Sequence, residues 1–400
     1  MAVFKMLRIA SIFILSFLFN CGEAQNPALQ LQHYSSWVDS MDNYARNAYL
    51  PATKYQWTWQ NAALLSTIIK EYEQSSQENR RVYFDYVKKA MDRSGGMANG
   101  LKPNAVASGL GMAFLYRVTK DEKYKRKCEK IYRDYMNIRR TKDGAVSHLP
   151  PFTELWDDTV FMIGEFLIGM YRATGDEKYL DELAKQIALH REKLQVTEWG
   201  LWVHGWDQSD WGHCMFCSEI HWSDKHTHRS PEMWGRGNGW ILVTLADALE
   251  AMPGTSRHWN EFASYLKEMV QRLPEIQDPK TGHWYQLPAC SKEPGNFIES
   301  SCTAMFAYGI NAAIRLGLVT GDAYKGSVAM AYSGLRNYSV AQVAGEYLTT
   351  KNVCKATCIG DKNYYFKRGV QKGKAYGLAS FIQFGLAYET DKGYRALNVK

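Results

Sequence analysis

Beyond its N-terminus the chain has no apolar run approaching the length needed to cross a bilayer, which argues against a membrane-spanning domain. It also has little surplus of either charge. Its 48 Lys and Arg face 41 Asp and Glu, a formal +7 over 400 residues. The two signs alternate, as in Asp121-Glu122-Lys123 and Asp176-Glu177-Lys178, and nothing resembles the basic stripe of a nucleic-acid-binding protein. Strand signals are few and short. LWVHGW at 201–206 and GHWYQL at 282–287 read as hairpins within connections. No standard metal-finger spacing occurs. Cys214-x-x-Cys217, followed by His221, His226 and His228, has ligand types suited to zinc, but the spacing is irregular, and an oxidising compartment favours a disulfide. No metal or organic cofactor is expected.

Such a compartment is suggested by the N-terminus. Lys5 and Arg8 precede an apolar stretch from Ile9 to Phe19, and small residues follow at Gly22 and Ala24. This pattern reads as a signal peptide over 1–24, cleaved before Gln25. Cleavage removes Lys5, Arg8 and Glu23, taking the charge from +7 to +6. It leaves seven cysteines, an odd number, so at least one thiol stays free; Cys128, in a charged helical segment, is the candidate. The expected product is secreted, or periplasmic in a bacterium. It is read as one domain over 25–400, a monomer or weak dimer without membrane attachment. With 46% apolar residues it can build a large core, and its mild positive charge suits a polyanionic substrate.

Self-similarity supplies the architecture. LYRVTKDEKY at 115–124 returns as MYRATGDEKY at 170–179, each behind a small-residue, apolar helix. Looser versions lie at 61–73, 239–252, 302–324 and 375–390. Charged amphipathic helices stand between them, such as EKYKRKCEKIYRDYMNI and DELAKQIALHREKL. Six buried helices alternating with six charged ones predict an all-α fold, an (α/α)6 barrel or six-hairpin toroid, with short β-hairpins in its connecting loops. That ring gathers the starts of its inner helices at one mouth. Asn104, Asp157, Asp158, the 234–240 cluster, Ser300, Ser301 and Tyr376 then become neighbours.

Two of these segments carry chemistry. In WGRGNGW (234–240), opening a long apolar helix, Arg236 offers a planar fork for a carboxylate. Trp234 and Trp240 offer faces for sugar rings, and a helix N-terminus favours anions. In WDDTVFM (156–162), one aspartate is expected to cap its helix while the other points into the cavity. A Trp-flanked, dehydrated carboxyl has a raised pKa, as a general acid requires. His148 lies in the loop leading to this helix. The connection 199–240 holds seven Trp and five His without a helical pattern, and His204 within VHGWD is its preferred donor.

WDDTVFM, VHGWDQS, WGRGNGW, ESSCTAMFAYGI (299–310) and KAYGLASF (374–381) resemble, in order, the motifs of unsaturated uronyl hydrolases, glycoside hydrolase families 105 and 88. Unsaturated rhamnogalacturonyl hydrolase is the nearer relative. The resemblance spans roughly 30–390. It implies an (α/α)6 barrel acting on unsaturated acidic oligosaccharides left by polysaccharide lyases, with Asp158 as the catalytic acid. It also implies that His148, His204, Trp234, Arg236 and Trp240 hold the sugars. One position departs from the pattern: where the family has a second aspartate, five residues before a glycine, this chain has Asn104, which keeps hydrogen bonding but not charge. Two other readings remain open here. One is an inverting glycosidase pairing Asp158 with Glu299 or Asp207, which needs two flanking carboxylates. The other is an oligosaccharide-binding protein that has lost turnover.

Overall fold

A computed structural model describes residues 34–94, 102–209, 221–291, 293–343, 345 and 347–394. The signal-peptide region and Cys214 and Cys217 lie outside them. Two kinds of helix alternate along the chain. The outer set comprises α1 (Trp37–Asn43), α3 (Gln77–Ser94), α5 (Glu122–Met136), α7 (Lys178–Leu194), α9 (Trp259–Val270) and α11 (Asp322–Gly334). The inner set comprises α2 (Trp59–Gln74), α4 (Gly109–Thr119), α6 (Asp158–Thr174), α8 (Gly235–Ala251), α10 (Ser300–Arg315) and α12 (Ala375–Asp391).

Each outer helix buries a stripe. On α5, Tyr124, Cys128, Ile131 and Tyr135 recur at helical spacing and are buried. Asp121 caps this helix by accepting the Lys123 N–H at 2.8 Å. Inner helices are apolar on nearly every side; α6 is buried without a break from Asp158 to Ile168. Small residues let them close up. A Cβ on Gly164 would lie 2.6 Å from Thr244 Cγ2, and one on Gly309 3.0 Å from Leu242 Cβ. The backbones of α6 and α10 therefore press directly on side chains of α8.

Inner helices pack in sequence, α2 on α4, α4 on α6, α6 on α8, α8 on α10 and α10 on α12, and α12 returns to α2. The ring is closed. Each of α3, α5, α7, α9 and α11 lies against the inner helix preceding it, whereas α1 covers α12. The (α/α)6 toroid expected from the repeats is the fold, and one apolar cluster runs through it from Trp37 to Tyr388. Among the described residues no helix is long and apolar enough to cross a membrane.

The strands are short and confined to connections. β1 (Glu154–Trp156) pairs antiparallel with β4 (Gly205–Asp207), joining the loops that lead into α6 and α8. Between them in sequence, β2 (Gln195–Val196) pairs with β3 (Leu201–Trp202). The hairpin expected at 282–287 does not form; only an isolated bridge joins Tyr285 and Ile298. The reason is tertiary: Trp284 is fully buried, and its N–H bonds to Thr303 Oγ1 on α10. Two ladders absent from the sequence reading lie before α12, Val340–Gln342 with Leu348–Thr350 and Val353–Cys354 with Val370–Gln371.

Candidate active site

The inner-helix starts meet through specific contacts. Trp57 Nε1 bonds to Ala105 O at 2.7 Å, tying the approach to α2 to the turn Pro103–Val106 before α4. Trp59 of α2 stacks on Tyr376 of α12, centroids 5.3 Å apart, and meets Trp240 of α8 edge-on. Trp240 packs on Phe161 of α6 at 4.3 Å. The Arg236 guanidinium of α8 lies between the rings of Trp234 and Tyr376, at 4.5 and 4.7 Å, and bonds to Ser301 of α10.

At this mouth His204 connects three elements. Its Nε2 is 3.1 Å from Asp158 Oδ2, and its Nδ1 is 2.6 Å from the hydroxyl of Tyr365, on the short helix Lys362–Phe366. His148 stacks on Trp156 at 4.7 Å with 8° between the planes, and its Nδ1 bonds to Thr159 Oγ1 at 2.9 Å. Asp157, Asp158 and His204 are the only group of three cation-ligating side chains, among the described residues, whose donor atoms converge, all within 4.8 Å. The His204–Asp158 hydrogen bond already occupies two of those atoms.

The aspartate pair departs from expectation in two ways. Neither side chain caps α6. Asp157 holds the N-cap position, but its backbone is already helical, with φ −59° and ψ −29°, and its carboxyl makes no capping bond; a side chain caps from extended backbone. It lies instead against α8, where a Cβ on Gly237 would be 2.1 Å from Oδ2. The raised pKa also falls on the other aspartate. Burial pushes both carboxyls up, but at Asp158 the His204 hydrogen bond, the facing His204 and His148 rings and the charge of Arg236 outweigh it, and this carboxyl is held below its ordinary value. Asp157 lacks such partners, and burial together with the charge of Asp158 pushes it well above. The two directions are opposite: the acid form is favoured at Asp157 and the ionised form at Asp158. Burial also holds His148 down to about 4 and His204 below its ordinary value, so both imidazoles are neutral at pH 7. An ionised Asp158 needs a donor. That fixes the proton of His204 on Nε2 and leaves Nδ1 to accept from Tyr365.

Three further expectations change in detail. The fork of Arg236, read as a carboxylate clamp, is largely spent on the protein. Nη1 donates to Cys354 O at 3.0 Å and Ser301 Oγ at 3.3 Å, and Nη2 donates to Lys355 O at 2.9 Å. Its Nε is buried without a partner among the described residues, so Arg236 contributes charge more than a two-pronged grip. Trp234 and Trp240 are each only 2% exposed, packed as walls rather than open sugar platforms. Half-buried Trp57 and Trp59, overlooked in the sequence, offer aromatic surface at the mouth. Asn104 sits in the Pro103–Val106 turn, which packs on α6; its Oδ1 is buried and unpartnered.

Neither alternative second carboxylate is free. Glu299 is fully buried and caps α10, accepting from the N–H groups of Ser301, Cys302 and Cys354. Asp207 is fully buried and accepts from the backbone and hydroxyl of Ser209. In the 199–240 connection, His221 and His226 are exposed, and His228 bonds to Asp207 O. Cys358 is disulfide-bonded, whereas Cys128, Cys290, Cys302 and Cys354 are free thiols.

A buried carboxyl–imidazole pair ringed by the helix starts of a closed six-hairpin toroid is a site suited to acid–base chemistry. The profile of Glycosyl Hydrolase Family 88 matches residues 34–392, and the chain belongs to that family. It is 24% identical over 272 residues to the unsaturated rhamnogalacturonyl hydrolase YesR of Bacillus subtilis, covering 66% of this chain and 72% of the relative. It is 30% identical over 166 residues to protein Atu3128 of Agrobacterium fabrum, covering 41% of this chain and 65% of that one. Among solved structures, a family 105 glycoside hydrolase from C. acetobutylicum superposes with a TM-score of 0.76 at 25% identity, over 90% of this chain and all of its own. A heparin-specific unsaturated glucuronyl hydrolase shares the fold, with a TM-score of 0.64 at 13% identity over 90% and 96%.

Proposed function

We propose that this glycosidase hydrates the C4=C5 double bond of a 4,5-unsaturated uronic acid at the non-reducing end of polysaccharide-lyase products of the rhamnogalacturonan or pectin type. The observation carrying this is the bond between His204 and Asp158 at the toroid mouth, beside Arg236. It is supported by the names of the relatives, an unsaturated rhamnogalacturonyl hydrolase and two unsaturated 3S-rhamnoglycuronyl hydrolases. A conventional glycosidase needs two carboxylates around the anomeric carbon, and Glu299 and Asp207 are both engaged within the protein.

Hydration of the vinyl ether needs one proton-transferring carboxyl. Asp158 delivers a proton to C4; the π electrons form the C4–H bond, and the ring oxygen stabilises the cation left at C5. Water adds at C5 and returns a proton to Asp158. The resulting hemiketal opens and releases the remaining sugar. Arg236 and the surrounding helix N-termini favour the substrate carboxylate, Trp57 and Trp59 face its rings, Asn104 and His148 hydrogen-bond to it, and His204, both of whose nitrogens are engaged, orients Asp158. No cofactor enters the sequence of steps. Residues 1–24 direct export, the mature chain 25–400 acts outside the cytoplasm as one catalytic domain, and the disulfide at Cys358 fits an oxidising compartment.

The test follows loss of the conjugated enoate's ultraviolet absorbance on lyase-digested pectin. Wild type consumes it, and Asp158→Asn loses roughly 10²- to 10⁴-fold in rate. Full activity in Asp158→Asn, or hydrolysis of saturated glycosides alone, overturns the reading.

A further inference from the structure

The reaction requires a protonated Asp158, yet His204 and Arg236 stabilise its ionised form. The family pattern offers a second aspartate nearby, and here that position is Asn104. Asp157 is the remaining candidate. Its carboxyl is fully buried, and neither oxygen has a hydrogen-bond partner among the described residues. Oδ1 lies 3.8 Å from His204 Nε2, and Asp157, Asp158 and His204 each bring an atom within 4.8 Å of the others. Burial and the adjoining charge of Asp158 outweigh what the neighbouring backbone N–H groups offer a carboxylate anion there, so the acid form is favoured. The absence of a side chain at Gly237 makes its room.

We propose that Asp157 is a proton-holding positioning residue whose buried carboxylic acid, wedged between Gly237 and Asp158, supplies the hydrogen that Asp158 delivers to C4. This rests on the uronyl hydrolase reading. When the substrate carboxylate arrives beside Arg236, it neutralises part of the field that held Asp158 ionised. The proton then passes from Asp157 to Asp158 and on to C4. Water adding at C5 gives up one proton, which returns through Asp158 to Asp157, so each turnover leaves the pair as it began. Two adjacent carboxyls holding one proton titrate as a unit. The groups facing them are His204 from the β3–β4 connection, His148 from the loop before β1, Arg236 from α8 and Tyr365 from the helix Lys362–Phe366. Burial and the repulsive charge of Asp158 act in the same direction on Asp157.

Asp157→Asn preserves shape and removes the proton store. It is expected to leave KM within about twofold, to lower kcat at least tenfold, and to move the alkaline limb of the kcat–pH profile at least one unit towards acid. Gly237→Ala, which displaces the carboxyl while leaving it present, is expected to shift the same limb in the same direction. An infrared difference spectrum, wild type minus Asp157→Asn at pH 7, is expected to show a protonated-carboxyl C=O band. An unchanged pH profile in both substitutions, or no such band, overturns the proposal. Failure of wild type to consume the enoate overturns the uronyl hydrolase reading instead, and the infrared band still decides where the proton resides.

Discussion

Tyr365 and His204 meet at 2.6 Å although 161 residues separate them. By donating to Nδ1 the hydroxyl satisfies the nitrogen that Asp158 leaves unprotonated and holds the ring with Nε2 towards Asp158. Tyr365→Phe removes that control and leaves Nδ1 buried without a partner. We expect kcat to fall by roughly 10²-fold with KM little changed, because the general acid–base pair loses its orientation. Steady-state kinetics alongside a thermal melt separate this from unfolding.

Arg236 is held by three backbone or hydroxyl acceptors and two aromatic faces. Lysine has no planar fork to match them. Arg236→Lys is expected to cost about 2–3 kcal/mol of stability through lost charged hydrogen bonds and to raise KM for the acidic substrate. Denaturant unfolding and substrate titration check the two effects. A variant as stable as wild type would refute the structural role assigned to the side chain.

Asn104 keeps an unpartnered Oδ1 at the mouth. With the proposed bond to the sugar lost, Asn104→Ala removes about 0.5–1.5 kcal/mol of binding. KM should then rise between roughly two- and twelvefold while kcat holds. An unchanged KM would remove Asn104 from the substrate-contacting set.

Toward the other end of the ring, Glu165 is pushed up to about 8 by burial and then by the neighbouring Asp247. Ser66 donates to its Oε2 at 2.8 Å. Its folded value lies above the unfolded value of 4.5, so the folded state binds the extra proton. The stabilisation from that proton is full below pH 4.5 and is lost as pH rises toward 8. Glu165→Gln retains an acceptor for Ser66 without the ionisation. Its Tm should fall less than that of wild type between pH 6 and pH 9; parallel Tm–pH curves would count against a buried titrating Glu165.

Legibility of the sequence followed the range of the interactions involved. The toroid was readable because each hairpin carries its own signal, as in the Tyr124–Tyr135 stripe of α5 and the paired LYRVTKDEKY and MYRATGDEKY motifs. Asp158 and Arg236 were locatable because unusual residues crowd their helix starts. What they touch was not. Two of the three acceptors of Arg236 are carbonyls more than 100 residues away, and a backbone oxygen leaves no mark in the residue code. Which aspartate favours the proton is not legible locally, because the dehydration of Asp158 is local, whereas its relief by His204 is tertiary. Trp59 was within reach: extending the first repeat two residues toward its start includes it. Nothing in the sequence distinguished Tyr365 among the 25 tyrosines of the chain.

The belt is buckled by elements drawn from opposite regions of the polypeptide: α12 presses on α2, and α1 is the cover for α12. A nascent chain lacking its last hairpin leaves the apolar sides of α1 and α2 without their proper neighbour. The completed circle must therefore await late-synthesised segments, which raises the contact order and delays cooperative assembly.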